Sequence, residues 1–138
     1  MARNAFPVEV LTPEGQVFAG EVEMLSTRTE VGEIGVLANH APLLAMLAPA
    51  DLRLHLSETE VKHFAQGEGY VQVSRDGVLL LVEEALDPGS LDTADLEDRR
   101  RRAEEAEQEA DEDSEERRRA QRDRRRWEAF LKIAGGSA

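Results

Sequence analysis

Between Thr93 and Ile133 the chain contains not one Val, Ile or Thr. β-Branched side chains are stiff at χ1 and favour strands, so a segment of this length without them is built for helix. The first 86 residues read the other way, as short apolar–polar alternations cut by Gly, Pro, Asn and Asp. The hydrophobic period therefore switches from 2 to 3.6 across one breaker, Asp87-Pro88-Gly89-Ser90. This predicts a β-unit over residues 1–87 and a helical unit over 88–138.

Within the first unit, Phe6-Pro7-Val8-Glu9-Val10 alternates as a half-buried strand does, and Thr12-Pro13-Glu14-Gly15 has the residues of a type I turn. Gln16 to Phe18 returns as a strand that Gly20 is expected to end, and Glu21-Val22-Glu23-Met24 alternates again. Gly32-Glu33-Ile34-Gly35-Val36-Leu37-Ala38-Asn39-His40-Ala41-Pro42-Leu43-Leu44 holds two glycines, an Asn that tolerates left-handed angles, and a corner-setting Pro. It reads as a short strand, a tight turn near Asn39, and a new strand entered at Leu43. Leu52, Leu54 and Leu56 share a face opposite Arg53 and His55. Glu58 to Phe64 and Tyr70 to Val73 are further strands, Arg75-Asp76-Gly77 is a hairpin turn, and Val78 to Val82, apolar throughout, reads as a buried strand. The expected fold class is β + α: an antiparallel β-sandwich of about ten strands, ending near Leu86, then a two-helix antiparallel hairpin.

The helices are expected at about 92–109 and 114–134. Asp92 with Asp95, and Asp113 with Glu116, have the spacing of a cap and its reciprocal acid. The acidic run from Glu109 to Glu116 between them disfavours one continuous helix by self-repulsion. On the first helix Leu96, Ala103, Ala106 and Ala110 form a narrow stripe. On the second, Ala120, Trp127, Phe130, Leu131 and Ala134 share a side, with Arg118, Arg122, Arg125 and Arg126 around the other. Alanines bury little area at roughly 25 cal/mol per Å², so docking of the hairpin is weak. Asp95–Arg99, Glu97–Arg101 and Asp98–Arg102 have i,i+4 spacing, which supports the helix whether or not the hairpin is closed.

Charge narrows the function classes. The chain has 29 acidic residues against 17 Lys plus Arg, and only five of those bases lie in residues 1–94: Arg3, Arg28, Arg53, Lys62 and Arg75. An acidic front unit repels phosphate backbones and anionic lipid, which argues against nucleic acid as a partner. There is no cysteine, and the longest apolar run, Ala41 to Ala50, holds two prolines and falls far short of the roughly 20 residues of a membrane span. Met1-Ala2-Arg3-Asn4 leads into strand-like residues without a signal-peptide core, so a soluble, cytoplasmic chain is expected. His40, His55 and His63 lack metal-ligand spacing, no nucleophile elbow or phosphate loop occurs, and Glu83-Glu84 point to opposite faces of a strand. No metal, no cofactor and no catalytic group is expected.

The motif G-E-x-G-x-x-x-x-H-A-P-L-L, running from Gly32 to Leu44, resembles the signature of the epsilon subunit of bacterial F-type ATP synthase. Phe18-Ala19-Gly20 resembles that family's F-x-G. Gly67-Glu68-Gly69-Tyr70-Val71-Gln72-Val73 resembles the segment before its last strands, and Val82 to Ala85 with Leu91-Asp92 the passage into its helices. The resemblance covers nearly the whole chain. It implies a non-catalytic central-stalk subunit that links the gamma subunit to the c-ring of a proton-translocating enzyme. It implies a peripheral position on the cytoplasmic face of the cell membrane, without membrane insertion. It also implies C-terminal helices able to inhibit ATP hydrolysis.

The same resemblance places the turn carrying Glu33 toward the rotor ring and the segment around His40 toward gamma. It brings Arg118, Arg122, Arg125 and Arg126, on an extended helix, to acidic segments of the alpha and beta catalytic subunits. A continuous helix over 92–134 reaches roughly 65 Å at 1.5 Å per residue. Some members bind ATP through I/L-D-x-x-R-A. Here Leu91-Asp92-Thr93-Ala94-Asp95-Leu96 puts an acid at the phosphate-facing base, which argues against ATP as a regulatory ligand. Read without the resemblance, the arginine face fits a solvated, salt-linked surface. It also fits a freestanding adaptor module that binds acidic protein partners.

Overall fold

A computed structural model describes residues 4–136. They form two compact units, the first ending at Asp87 and the second beginning at Pro88. The first unit has ten strands: β1 Phe6–Thr12, β2 Gly15–Val22, β3 Met24–Thr29, β4 Gly32–Val36, β5 Leu43–Leu47, β6 Ala50–His55, β7 Val61–Gln66, β8 Gly69–Ser74, β9 Gly77–Val82 and β10 Ala85–Leu86. Their order is β10-β7-β6-β3-β5-β8-β9-β1-β2, with β4 on the other edge of β3. All pairs are antiparallel except β1 with β9, which run parallel.

The sandwich arises because β3 shares one edge between two partners. Met24 to Ser26 pair with β6, whereas Thr29 pairs with Leu47 of β5. The sheet divides there and its halves face each other, and Phe18 of β2 meets Phe64 of β7 edge-on at 6.5 Å. Val10, Leu25, Leu52, Leu54, Val71 and Leu80 are completely buried between the layers. Close approach explains Gly69, where a Cβ would lie 1.9 Å from the Leu81 carbonyl oxygen. Asn39 has φ 65, the left-handed turn expected before Leu43.

Two strand boundaries and the burial of one strand differ from the sequence reading. Gly20 does not end β2, because it stays in register opposite Val8, and the break falls at Glu23. Strand β7 starts at Val61 rather than Glu58, because the Ser57 hydroxyl accepts from the Thr59 and Glu60 amides and holds a turn there. Strand β9 is not buried throughout: Val78, Leu80 and Val82 face the core, and Leu81 is 46% exposed. Period 2 applies even to an all-apolar strand when only one of its faces is covered.

The second unit follows a single 3-10 turn at Pro88–Ser90 and comprises α1 Thr93–Glu109 and α2 Glu115–Ala134. Asp92 caps α1, its carboxylate accepting from the Ala94 and Asp95 amides. The cap of α2 is Ser114, not Asp113. Reversing the chain within a few residues takes a left-handed position, which Asp113 supplies at φ 61, so capping passes to the next side chain. The inner stripe of α1 also shifts from expectation. Ala106 is exposed, Leu96 and Ala103 are buried, and Arg100, Glu107 and Ala110 are half-buried.

Gln66 is fully buried, yet no buried side-chain polar atom among the described residues lacks a partner. The Thr27 hydroxyl donates to Gln66 Oε1 at 2.7 Å, and Gln66 Nε2 donates to the Ala48 carbonyl at 2.8 Å. This side chain ties β3 and β7 to the corner before β6. Replacing Gln66 by Leu orphans the Ala48 carbonyl and is expected to destabilise the β-unit by about 2 kcal/mol. Thermal unfolding checks it, with an expected fall in Tm of roughly 8–16 °C for a domain of this size.

Candidate functional site

The outer face of β5, β8 and β9 is apolar. Met46 lies opposite Tyr70, and Tyr70 opposite Leu81, so the three side chains form one row across three strands. Leu44 stands two residues from Met46 on the same face, opposite Gln72, which in turn faces Leu79. Leu44 is 70% exposed and Met46, Tyr70 and Leu81 are about half exposed. Scattered exposed hydrophobics are ordinary, but a contiguous apolar row across three strands is the kind of surface that marks protein contacts. The sequence carries the signal, since Leu79 and Leu81 are apolar at the parity that should be polar.

The β3–β4 hairpin ends in Glu30 and Val31, and Val31 is 98% exposed. Thr29 fixes this tip: its hydroxyl donates to the Gly32 carbonyl at 2.9 Å and accepts from the Val31 amide at 3.2 Å. Glu33 lies opposite Arg28 and pairs with it at 3.3 Å, both side chains more than half exposed. Such a pair contributes little to stability and leaves both charges near water. His40, past the other end of β4, is half-buried. Its Nδ1 lies 2.7 Å from the Ala41 carbonyl oxygen, so that nitrogen carries the proton and donates.

The four arginines singled out on α2 do not form one surface. Arg118 and Arg122 are exposed and converge on Glu115, at 3.2 and 3.3 Å. Arg118 also donates to the Asp113 carbonyl at 3.0 Å, closing the turn. The bonds from Arg122 and Arg118 lower the Glu115 pKa. Arg125 is exposed beside them. Arg126 turns inward, only 13% exposed, with its guanidinium 5.3 Å from the centre of the Trp127 ring. An arginine stem covers apolar surface well, and the ring face attracts its charge.

Arg124 was not singled out by the sequence reading. Its Nε lies 2.9 Å from Glu107 Oε1 and its Nη2 3.3 Å from Glu107 Oε2, a two-pronged bridge from α2 to α1. Its Nη1 donates to Glu128 at 2.9 Å. On α1, Arg99 takes Asp95 at 2.8 Å and Arg102 takes Asp98 at 2.7 Å as spaced. Glu97, however, is bonded by Arg100 rather than Arg101, which turns to Asp98.

Residues 5–88, more than half of the chain, match the family model described as ATP synthase, Delta/Epsilon chain, beta-sandwich domain. An ATP synthase epsilon chain of Persephonella marina is 46% identical over 63% of this chain and 64% of its own length, just under two thirds. One of Halalkalibacterium halodurans is 37% identical over 93% of this chain and 96% of its own. Among solved structures, a chain of the Euglena gracilis mitochondrial ATP synthase, OSCP/F1/c-ring in rotational state 1, shares the fold. Its TM-score is 0.76 at 22% identity, over 91% of this chain and 79% of that one. The chain belongs to the ATP synthase epsilon-chain family. By family it is a non-catalytic stalk subunit of ATP synthase. No helix among the described residues is long and apolar enough to cross a membrane.

Glu107 yields a pH prediction. The bond from Arg124 is the largest influence lowering its pKa below the ordinary 4.5, helped by a bond from the Gln121 side chain and by the charges of Arg124 and Arg117. A lowered carboxyl pKa contributes stability that is present above the ordinary value and lost as pH falls through the folded one. Trp127 is the only tryptophan and is buried, so its emission reports on the helical unit. Between about pH 6 and pH 3 the emission is expected to shift red, and Glu107→Gln to reduce the pH-dependent part of that shift. An unchanged profile in the variant contradicts this.

Proposed function

We propose that the chain works as a rotor subunit of the central stalk: its β-unit grips the gamma subunit and rests on the c-ring, and its helical unit restrains ATP hydrolysis. The observation that carries this reading is the apolar row Met46–Tyr70–Leu81 with Leu44 beside it. Taking these half-exposed side chains out of water stabilises a complex by roughly 1 kcal/mol each, which suits a shaft with an apolar side. The hairpin tip with Val31 and the nearby Glu33 offers one exposed apolar side chain among acids, the feature we assign to the ring. In that assembly the chain lies peripherally on the cytoplasmic face of the membrane.

The inhibitory part rests on the helical unit. Arg118, Arg122 and Arg125 are exposed on α2, and Arg118 and Arg122 bond groups of their own helix and its turn. Exposed ion pairs of this kind exchange partners at little cost. On an extended helix these arginines take acidic segments of the catalytic subunits, and rotation stops.

Two measurements test the reading. Met46→Glu and Tyr70→Asp place charges in the apolar row, and each is expected to weaken binding of purified gamma about tenfold or more, read by titration calorimetry. Unchanged affinity in both variants overturns the docking face. Ending the chain at Asp87 keeps the whole sandwich core and is expected to leave gamma binding intact while raising ATP hydrolysis by the assembled enzyme. Hydrolysis that does not rise contradicts the regulatory arm.

A further inference from the structure

The seam between α1 and α2 is an unusual one for a helical hairpin. A stable pair of helices presents apolar residues at i, i+3, i+4 and i+7 to each other. Here α1 presents Leu96 and Ala103 but also Glu107, and α2 presents Ala120 and Trp127 but also Arg124. The two charged residues fall at stripe positions, and each meets the other. Glu107 is 13% exposed and Arg124 36%, so the pair is shielded well beyond an ordinary surface pair. Both carboxylate oxygens are taken by two guanidinium nitrogens of Arg124, and the third nitrogen is held by Glu128.

A cation–π contact crosses the seam farther along. The guanidinium of Arg99 on α1 sits 5.1 Å from the centre of the Trp127 ring of α2, and that of Arg126 sits 5.3 Å from the same ring. Near the turn, Arg117 reaches back to the Ala110 carbonyl at 3.4 Å. Apart from Leu96, Trp127 and Phe130, the buried apolar residues among the described residues of the helical unit are two alanines. Charge-assisted contacts thus occupy three levels of the seam where apolar packing is thin.

We propose that Arg124 is the clasp of the helical hairpin, holding α2 against α1 through Glu107, so that closure of the arm is set by an ion pair and responds to ionic strength. A seam of leucines is nearly indifferent to salt at moderate concentrations, whereas an ion pair whose guanidinium is still one-third exposed weakens as screening grows. The fork geometry makes arginine the required cation, since a lysine at this position offers one point charge in place of two parallel bonds. Arg124 is a positioning residue: it sets how often the arm is open, and not what the open arm touches. The consequence for hydrolysis rests on the regulatory reading above, but the clasp itself does not.

The test uses the intact chain with spin labels on Ala94→Cys and Lys132→Cys, both exposed and near the free ends of the hairpin. In the closed hairpin the two sites lie about one interhelical spacing apart, with axes 8–10 Å from each other. A continuous helix separates them by about 57 Å at 1.5 Å per residue. Glu107→Gln and Arg124→Gln are each expected to raise the ratio of open to closed molecules about three- to tenfold, and Arg124→Lys by less. The double variant is expected to open no further than either single, because one contact has been removed twice. Raising salt from roughly 0.05 to 0.5 M is expected to open the parent chain and to change the double variant little.

An unchanged distance distribution, simple addition of the two single effects, or equal salt sensitivity in the double variant overturns the clasp. Far-UV helix content separates opening from loss of the helices, and Arg124→Lys keeps the test meaningful if a glutamine variant unfolds. Opening without a change in ATP hydrolysis by the complex leaves the clasp standing and removes the regulatory reading. Closed labels in every variant remove the clasp whatever hydrolysis does.

Discussion

A β-strand has two faces, and in this chain three neighbouring strands carry apolar side chains on both. The inward set of β5, β8 and β9, including Leu47, Val71 and Leu80, closes the sandwich core. The outward set, Leu44, Met46, Tyr70 and Leu81, is left to water. A monomer gains nothing from the second set, since it stabilises no contact within the sandwich and raises the risk of association. Its presence makes sense for a chain whose native state includes a partner. The division of β3 between β6 and β5 keeps that face continuous, because it folds the sheet over and leaves β5, β8 and β9 side by side.

The helical unit solves a different problem. Local support is strong: both helices have capped starts, and their arginines pair with acids three or four residues away. Support across the seam is thin in apolar area and rich in charge. The two together give helices that persist while their mutual contact is weak, which is the energetic condition for a part that moves as a rod. The Glu115 group, shared by Arg118 and Arg122, fits the same pattern, since its partners lie on its own helix and travel with it.

Much of this was legible in the sequence, and the reasons are physical. Period 2, the Pro and Gly punctuation, and the absence of β-branched residues after Thr93 specify the two units and their elements to within a few residues. The failures cluster where a side chain competes with a rule of thumb. Ser57 turned a strand start into a turn, Gly20 sat without strain inside β2, and Asp113 gave up capping to take a left-handed angle. The run Val78 to Val82 reads as buried from its composition, which does not say whether both faces of a strand are covered. Arg124 was overlooked and Arg126 misplaced for one reason. A charged residue belongs in solvent by its type alone, and only packing against a second helix lays its stem and fork along a seam. Glu33 and His40 stand out by family resemblance alone, since their own bonds, to Arg28 and to the Ala41 carbonyl, are those of an ordinary strand residue and an ordinary turn residue.

In the proposed assembly this subunit meets the shaft through the outer face of β5, β8 and β9. The most direct measurement of this contact is the reactivity of a cysteine placed at Tyr70, in the middle of the apolar row, toward a maleimide in the presence and absence of gamma. The chain has no cysteine of its own, so the signal comes from that one site. Strong protection by gamma, with a control cysteine at Glu14 on the β1–β2 turn labelled as fast as before, is the predicted result. Equal labelling at residue 70 with gamma demonstrably bound contradicts it.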